Sequence, residues 1–280
     1  MRLLGFKSAA VFGAILLATS ASAQSPWDTT TVDDKVLIRF NAIVAGLTID
    51  EASSQDKLYL RTLWDSLVRE EQGDKVFLTP SDVFACGTSS VTYYGHSYST
   101  VEINSMCWFA ENLRTSKYTN GDDIATGLDN STWATTTSGA VTVYDEGGAN
   151  EASNLSQRGR LYNNYAAADA RGICPSGWHV PSRDEFTALR TFLGAEDGKK
   201  MKSSVNDVPD WDGTNESGFS AFPAGYRNTG GIFAQEDRTA FWTTSTWDVV
   251  LQPGNDAAQE FQPGVNYGLS VRCLKDSEDN

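Results

Sequence analysis

The chain has 280 residues, of which 36 are acidic and 22 basic, so its formal net charge is −14. This balance argues against binding to nucleic acid or to an anionic membrane surface, because a phosphate-binding face needs clustered lysine and arginine. Acidity alone does not indicate calcium, because exposed carboxylates also keep a protein soluble in salt.

Residues 1–23 have the organisation of a secretory signal peptide. Arg2 and Lys7 form a basic start, residues 8–17 form a short apolar core, and Ala21-Ser-Ala23 provides an A-x-A cleavage site. The apolar core is too short to span a bilayer, and no other segment approaches about 18 apolar residues, so we expect no membrane insertion. Cleavage removes two basic and no acidic residues, which takes the net charge to −16. The sequence therefore predicts an exported protein, either secreted, periplasmic or held at the cell surface.

Residues 24–82 are predicted to form a helical N-terminal segment. Two stretches, 36–47 and 50–71, carry apolar residues at helical spacing. Two amphipathic helices of this size cannot bury their stripes alone, so they should pack on each other, on the main domain or on another subunit. We interpret the segment as an attachment or homo-oligomerisation element. It ends near Thr79-Pro-Ser-Asp82, where proline interrupts the helical pattern.

Short strands are predicted in the rest of the chain. Five segments have the alternation or the apolar content of strands, namely residues 91–94, 95–98, 100–104, 241–247 and 267–273. Residues 119–157 and 198–231 are rich in Gly, Asn and Asp, which predicts long loops. No βα unit repeats, and no internal repeat of 20–50 residues is present. The pattern therefore predicts an α+β domain rather than a doubly wound sheet.

One helix has a clear start. Ser182 is followed three residues later by Glu185, which is the spacing of a capping box. The run that follows is apolar at positions 186, 189, 192 and 193, which form one stripe at helical spacing and predict an amphipathic helix.

Six blocks carry a family resemblance: residues 107–114 (CWFAENLR), 159–165 (GRLYNNY), 173–186 (ICPSGWHVPSRDEF), 215–227 (NESGFSAFPAGYR), 241–246 (FWTTST) and 270–276 (SVRCLKD). In this order they closely resemble the Fibrobacter succinogenes major paralogous domain, which predicts that domain over residues 83–276, with a tail at 277–280. The family is widespread in secreted bacterial proteins, and the resemblance implies no general biochemical activity.

That family resembles the C-type lectin fold and the sulfatase-modifying-factor domains. The resemblance thus implies a C-type-lectin-like domain with short strands, long loops and disulfides. An even number of cysteines in an exported chain predicts disulfides, and four cysteines allow three connectivities. Our hypothesis is Cys86–Cys107 and Cys174–Cys273. In C-type-lectin-like folds a cysteine of the terminal strand bonds one near the helix, which agrees with the second pair.

No motif predicts catalysis. His96 and His179 are the only histidines, and neither belongs to a G-x-S-x-G, an H-E-x-x-H or a comparable pattern. We interpret His179 as a hydrogen-bonded turn residue rather than a general base, and His96 as an exposed turn residue. The sequence therefore predicts a protein that is not an enzyme.

No cofactor is predicted either, although calcium stays a candidate. The four cysteines are spaced too widely for a zinc site. Acidic pairs and triples occur at 120–123, 145–146 and 210–212 without the spacing of an EF-hand. The stretch Gln252-Pro-Gly-Asn-Asp256 gives only part of the calcium–sugar motif of C-type lectins.

The aromatic residues divide into two groups. Trp108, Trp178, Phe219 and Trp242 are predicted to build the core, with Asn215–Phe219 as a turn that anchors Phe219. Two other segments suit a glycan or protein epitope, because they combine aromatic faces with amides and carboxylates. We call residues 226–238 the first ligand loop and residues 247–267 the second. The predicted ligand-binding residues are Tyr226, Arg227, Trp247, Asp248, Gln252, Asn255, Asp256, Asn266 and Tyr267.

The sequence thus favours a non-enzymatic recognition or adhesion domain whose partner is a glycan or a cell-surface protein. Two alternatives stay open. The first is a relative of the formylglycine-generating oxidoreductases, which would need a reactive thiol at Cys273. The second is a structural surface or matrix protein assembled through residues 24–82.

Overall fold

A computed structural model describes residues 84–203, 207 and 211–277. The predicted signal peptide, the N-terminal helical segment and most of the tail lie outside these residues. The chain divides into two units between Ala85 and Cys86, and the fold below is that of the second unit. It is a mixed α/β domain made mostly of short strands.

Two consecutive hairpins begin the domain. Strands β1 (Ser90–Tyr93), β2 (His96–Ile103) and β3 (Met106–Phe109) pair antiparallel in order. Their turns, Tyr94-Gly95 and Asn104-Ser105, have positive φ at every residue, which matches the right-handed twist of two-residue hairpins. The predicted strands 95–98 and 100–104 are therefore one strand, because the alternation of exposed and buried side chains continues through Ser99.

The last strand of the chain completes this sheet from its far side. Strand β12 (Leu274–Lys275) lies between β3 and β6 (Trp178–His179), and the strand order is β1-β2-β3-β12-β6. The sheet thus joins the beginning, the middle and the end of the domain.

Residues 119–157 contain short elements where the sequence predicts only loops. Helix α1 (Asn130–Thr135) buries Trp133, and strand β4 (Val141–Val143) is buried throughout and pairs with β5 (Arg160–Tyr162). Helix α2 (Glu151–Arg158) lies between those strands. The prediction is wrong here because tertiary burial, rather than local composition, determines these elements.

The central helices follow. Helix α3 (Asn164–Ala167) is short, and α4 (Arg183–Leu193) is the predicted helix, with both bonds of the Ser182–Glu185 capping box present. Helix α5 (Asp197–Met201) falls within a predicted loop. Within the apolar stripe of α4, Phe186 and Leu189 are buried and Leu193 is partly buried, whereas Phe192 is 59% exposed. Position 192 lies about 60° beyond 189 on the helical wheel, at the edge of the buried face.

A second sheet of three strands contains β9 (Thr239–Trp242), β10 (Asp248–Leu251) and β11 (Gln259–Phe261), in the order β11-β10-β9. A two-stranded ribbon, β7 (Tyr226–Arg227) and β8 (Phe233–Ala234), precedes it. The predicted strand 241–247 therefore ends at Trp242. The predicted strand 267–273 forms single bridges to three different segments instead of a continuous ladder.

Two apolar clusters form the core. One lies around Tyr98, Trp242 and the Cys174–Cys273 bond, and the other lies around Trp108, Phe186, Phe219 and Phe241. Of the predicted core aromatics, three are fully buried and Trp178 packs half-buried against the first cluster.

The turn at Asn215 anchors Phe219 as predicted. Asn215 has a left-handed backbone and accepts the backbone N–H of Ser220, while Phe219 is fully buried.

Both predicted disulfides are present. Cys86 bonds Cys107 and Cys174 bonds Cys273, so no cysteine is free. In the part of the chain that the structure describes, no helix is long and apolar enough to cross a membrane.

Candidate functional site: the two ligand loops

The two ligand loops are in contact with each other. The ring centroids of Tyr226 and Tyr267 are 5.6 Å apart, and both rings are half-buried. The backbone joins the same segments, because Arg227 N donates to Gly268 O at 3.0 Å and Gly268 N donates to Arg227 O at 2.7 Å. The structure therefore brings two of the predicted ligand residues into one half-exposed aromatic pair.

Arg227 supports the first ligand loop from inside. It is only 3% exposed, and its guanidinium donates to Gly231 O at 2.8 Å and to Leu128 O at 2.7 Å. The same group lies over the rings of Trp133 and Phe233, 4.4 and 5.1 Å from their centroids. Burial lowers the pKa of Arg227. These contacts point inward, so the side chain holds the loop rather than facing solvent.

Asn266 fastens the second ligand loop to α1. Its Nδ2 donates to Trp133 O at 3.0 Å and to Thr136 O at 2.9 Å, two carbonyls at the end of that helix. The backbone carbonyl of Asn266 accepts a hydrogen bond from Trp133 Nε1 at 2.7 Å. Like Arg227, Asn266 therefore uses its polar groups to shape the surface.

Trp247 is half-buried and stacked by an arginine of α4. The Arg183 guanidinium carbon lies 3.9 Å from the ring centroid, a cation–π contact. Glu260 fixes this arginine by an ion pair of 2.7 Å, and Arg190 pairs with the other oxygen of Glu260 at 2.6 Å. Phe261, the next residue, is 50% exposed. Aromatic, cationic and anionic groups thus meet along the edge strand β11.

Asp248 is a buried carboxyl beneath this edge. It is 4% exposed and accepts the Phe261 backbone N–H at 3.0 Å. No cation of the described residues lies within ion-pairing distance. The pKa of Asp248 is raised to about 7, chiefly by burial and in smaller part by the nearby Glu260 charge. At neutral pH the group therefore exists in both protonation states.

The remaining predicted residues lie at the other end of β10. Gln252 Nε2 donates to Gln259 Oε1 at 3.0 Å. The backbone carbonyl of Asn255 accepts from Nζ of the buried Lys202 at 2.9 Å. Asp256 is exposed, and its Oδ1 lies 3.7 Å from Lys199 Nζ. Gln252 and Asn255 are half-buried, so these three polar side chains reach the surface in varying degree.

His179 has both ring nitrogens engaged. Nδ1 lies 2.6 Å from Asp276 Oδ1, and Nε2 lies 2.9 Å from Glu185 Oε1. The hydrogen bond with Glu185 is the largest cause of a raised pKa for His179. The side chain is hydrogen-bonded as predicted, but His179 belongs to strand β6 rather than to a turn. His96 is half-buried rather than exposed, and burial lowers its pKa.

No group of three or more metal-ligating side chains occurs among residues 84–203, 207 and 211–277. Sequence reasoning does not find Arg183, Glu260 or Phe261. The sequence identifies Arg183 only as the first residue of a helix, and no sequence pattern predicts its contact with Trp247. Residues 259–261 read Gln-Glu-Phe, which does not alternate, so no local pattern predicts that Phe261 is exposed.

Comparison with known proteins places most of this domain in one family. The model of the Fibrobacter succinogenes major domain matches residues 101–275, which extend from β2 to β12 and include both ligand loops. No curated protein and no solved structure matches the chain.

Proposed function

This chain belongs to the Fibrobacter succinogenes major domain family, and we propose that it is an exported, non-enzymatic recognition or adhesion domain. Its partner is a glycan or a cell-surface protein, bound by the two ligand loops and the adjoining edge strand β11. The proposal includes a C-type-lectin-like fold, supported by the bond between the cysteine of the terminal segment and the one before α4.

Apolar exposure in the ligand loops is the observation that carries the proposal. Four large apolar side chains of the described residues are strongly exposed, and two of them, Ile232 and Phe261, lie in these loops. Singly exposed apolar residues are common, but these two accompany the half-buried Trp247, Tyr226 and Tyr267. Aromatic surface with amides and carboxylates beside it is the composition of sites that bind sugars or protein epitopes.

The loops are also pre-organised. Arg227 donates hydrogen bonds to a backbone carbonyl of the first ligand loop, and Asn266 donates to one of α1. Glu260 forms an ion pair with Arg183, which stacks on Trp247. A surface fixed in advance loses less conformational entropy when a partner binds, which favours affinity. This rigidity supports recognition.

Export is supported by two independent features. The first residues have signal-peptide organisation, and all four cysteines are in disulfides, which persist in oxidising compartments. The oxidoreductase alternative loses its motivation, because Cys273 is fully buried and bonded to Cys174. We therefore propose a secreted, periplasmic or surface location.

The test is binding of the mature chain to arrays of glycans and bacterial surface proteins. We expect specific binding that Trp247→Ala and Phe261→Ser each weaken at least tenfold. Phe192→Ser is the matched control, because Phe192 is 59% exposed but lies on α4 outside the loops. Absence of any specific binding would refute the proposal, and equal losses in all three variants would refute the assignment to these loops.

A further inference from the structure

A small polar cavity lies apart from both ligand loops. Its volume is about 230 Å³. None of its lining residues belongs to the first or the second ligand loop. They are Ala110, Glu111, Asn112, Ser156, Gln157, Gly159, Ser203, Ser220, Phe222 and Arg272.

Arg272 forms one wall of the cavity and is 1% exposed. Its Nε donates to Asn112 Oδ1 at 2.7 Å, its Nη1 to Phe109 O at 3.1 Å and also to Phe219 O, and its Nη2 to Ser220 O at 2.9 Å. All four acceptors are neutral. Only one of the two Nη2 hydrogens has an acceptor, so one donor remains for a further partner.

Arg272 forms no ion pair in the described part of the chain, although the more distant charge of Glu111 raises its pKa somewhat. No carboxylate lies within ion-pairing distance, and burial lowers the pKa of the guanidinium to about 9. Glu111 also lines the cavity, but Arg114 already pairs with it at 2.7 Å. Buried charges are normally paired, so the cavity offers an anion a favourable position.

Other walls supply hydrogen-bonding groups and an apolar face. Ser156 and Gln157 are exposed on α2, and neither side chain makes a hydrogen bond to another described residue. Phe222 is half-buried and gives the cavity its aromatic face. An anion beside hydroxyl, amide and aromatic groups matches a sugar that carries a carboxylate.

We propose that this cavity binds a uronic acid, either as a free monosaccharide or as the end of an acidic glycan. The carboxylate accepts from Arg272 Nη2, the ring hydroxyls face Ser156 and Gln157, and the apolar side of the ring packs on Phe222. This site shares no residue with the ligand loops, so its failure to bind a uronic acid would leave the proposed function of those loops untouched.

The experiment is a titration of isotope-labelled mature protein by amide NMR at pH 7. The probes are glucuronate, its methyl ester, glucose, galacturonate and a short oligogalacturonate. We expect saturable shifts near residues 156–159 and 220–222 with glucuronate, and at least tenfold weaker responses with the ester and glucose. Oligogalacturonate, compared with free galacturonate, distinguishes the two sources, because a closed site takes only the monosaccharide and an open one also takes a chain end.

The variant Ser156→Trp fills the cavity without removing Arg272, whose hydrogen bonds hold several segments together. Its matched control is Ser153→Trp, because Ser153 is also an exposed serine of α2 but does not line the cavity. We expect the first to abolish the glucuronate shifts and the second to preserve them. No saturable response to glucuronate, an equal response to glucose, or an unchanged response in Ser156→Trp overturns the proposal.

Discussion

Charged side chains are buried at several positions of this domain, and their contacts determine what each burial costs. Arg227 and Arg272 donate to carbonyl groups and lie over aromatic rings. Such neutral partners replace water as hydrogen-bond acceptors, so the guanidinium can stay charged. Asp248 has no comparable set of partners, because its carboxyl receives only the Phe261 backbone N–H from another residue. The unfavourable free energy of burying its negative charge therefore raises the pKa of Asp248, so that the carboxyl binds a proton more readily.

Replacing Asp248 by asparagine should stabilise the protein at alkaline pH. A pKa raised from 3.8 to about 7 in the fold means that stability is highest with the proton bound and falls as the pH rises from about 4 to 7. Asparagine keeps an acceptor for Phe261 N without the charge, although its amide needs new partners. We expect Asp248→Asn to gain about 2 kcal/mol at pH 8 and much less at pH 5.

Urea unfolding at the two pH values measures the effect of Asp248→Asn. The exposed Asp256 provides the control, and Asp256→Asn should leave the pH dependence unchanged. A wild-type protein whose stability is constant between pH 5 and 8 would contradict the raised pKa.

Helix α4 is the element that the sequence predicts best, because its start depends on adjacent residues. Ser182 Oγ accepts Glu185 N at 3.2 Å, and Glu185 accepts Ser182 N at 2.6 Å. The other oxygen of Glu185 also contacts His179 of β6. One carboxylate thus satisfies a helix start and joins the helix to the five-stranded sheet.

Removal of the cap should therefore destabilise the domain measurably. We expect Ser182→Ala to cost about 1 kcal/mol, because the backbone N–H of Glu185 loses its acceptor. Thr191→Ala, an exposed change in the same helix, should be neutral or slightly stabilising, because alanine is the better helix former. Denaturant unfolding measures the free energy of unfolding of both variants. If Ser182→Ala were as stable as Thr191→Ala, the capping box would contribute nothing to the stability of the domain.

The elements that the sequence mispredicts are those formed by distant residues. Residues 267–273 alternate like a strand, yet Gly268, Leu269 and Ser270 each bridge a different segment. Helix α1 has a local start signal in Asp129, which accepts the backbone N–H of Thr132, but Asn266 and the burial of Trp133 hold it in place. Hairpin turns and caps follow from local sequence, whereas such bridges depend on the completed fold.

At the scale of the whole domain, the same limit applies to the sites. Tyr226 and Tyr267 can be singled out from the sequence because both lie in polar, aromatic segments, but their contact with each other is seen only in the structure. The Arg183–Trp247 stack and the Arg272 cavity each combine segments that are far apart in the chain. No pattern within one segment reveals them. Four cysteines leave three pairings open, so the sequence alone does not fix the disulfides; the resemblance to C-type-lectin-like folds favours Cys174–Cys273, which is the bond observed.

The two disulfides should contribute unequally to the stability of the domain. The Cys174–Cys273 bond closes a loop of 99 residues, and the Cys86–Cys107 bond closes one of 21. The loss of entropy in the unfolded chain therefore stabilises the fold by about 4.7 kcal/mol for the first bond and by about 3 kcal/mol for the second. Cys174 and Cys273 also belong to the first apolar cluster, whereas Cys86 is half-buried. Replacing the long-range pair by serines adds the burial of two hydroxyls to the lost constraint.

We therefore expect the variant Cys174→Ser/Cys273→Ser to unfold at a clearly lower temperature than Cys86→Ser/Cys107→Ser. Calorimetry under non-reducing conditions measures the two Tm values, and peptide mapping confirms the bond that remains in each variant. The variant without Cys86 and Cys107 is the matched control, because it also lacks one bond and carries two serines. If it were the less stable of the two, the Cys174–Cys273 bond would not be the main covalent constraint on the domain.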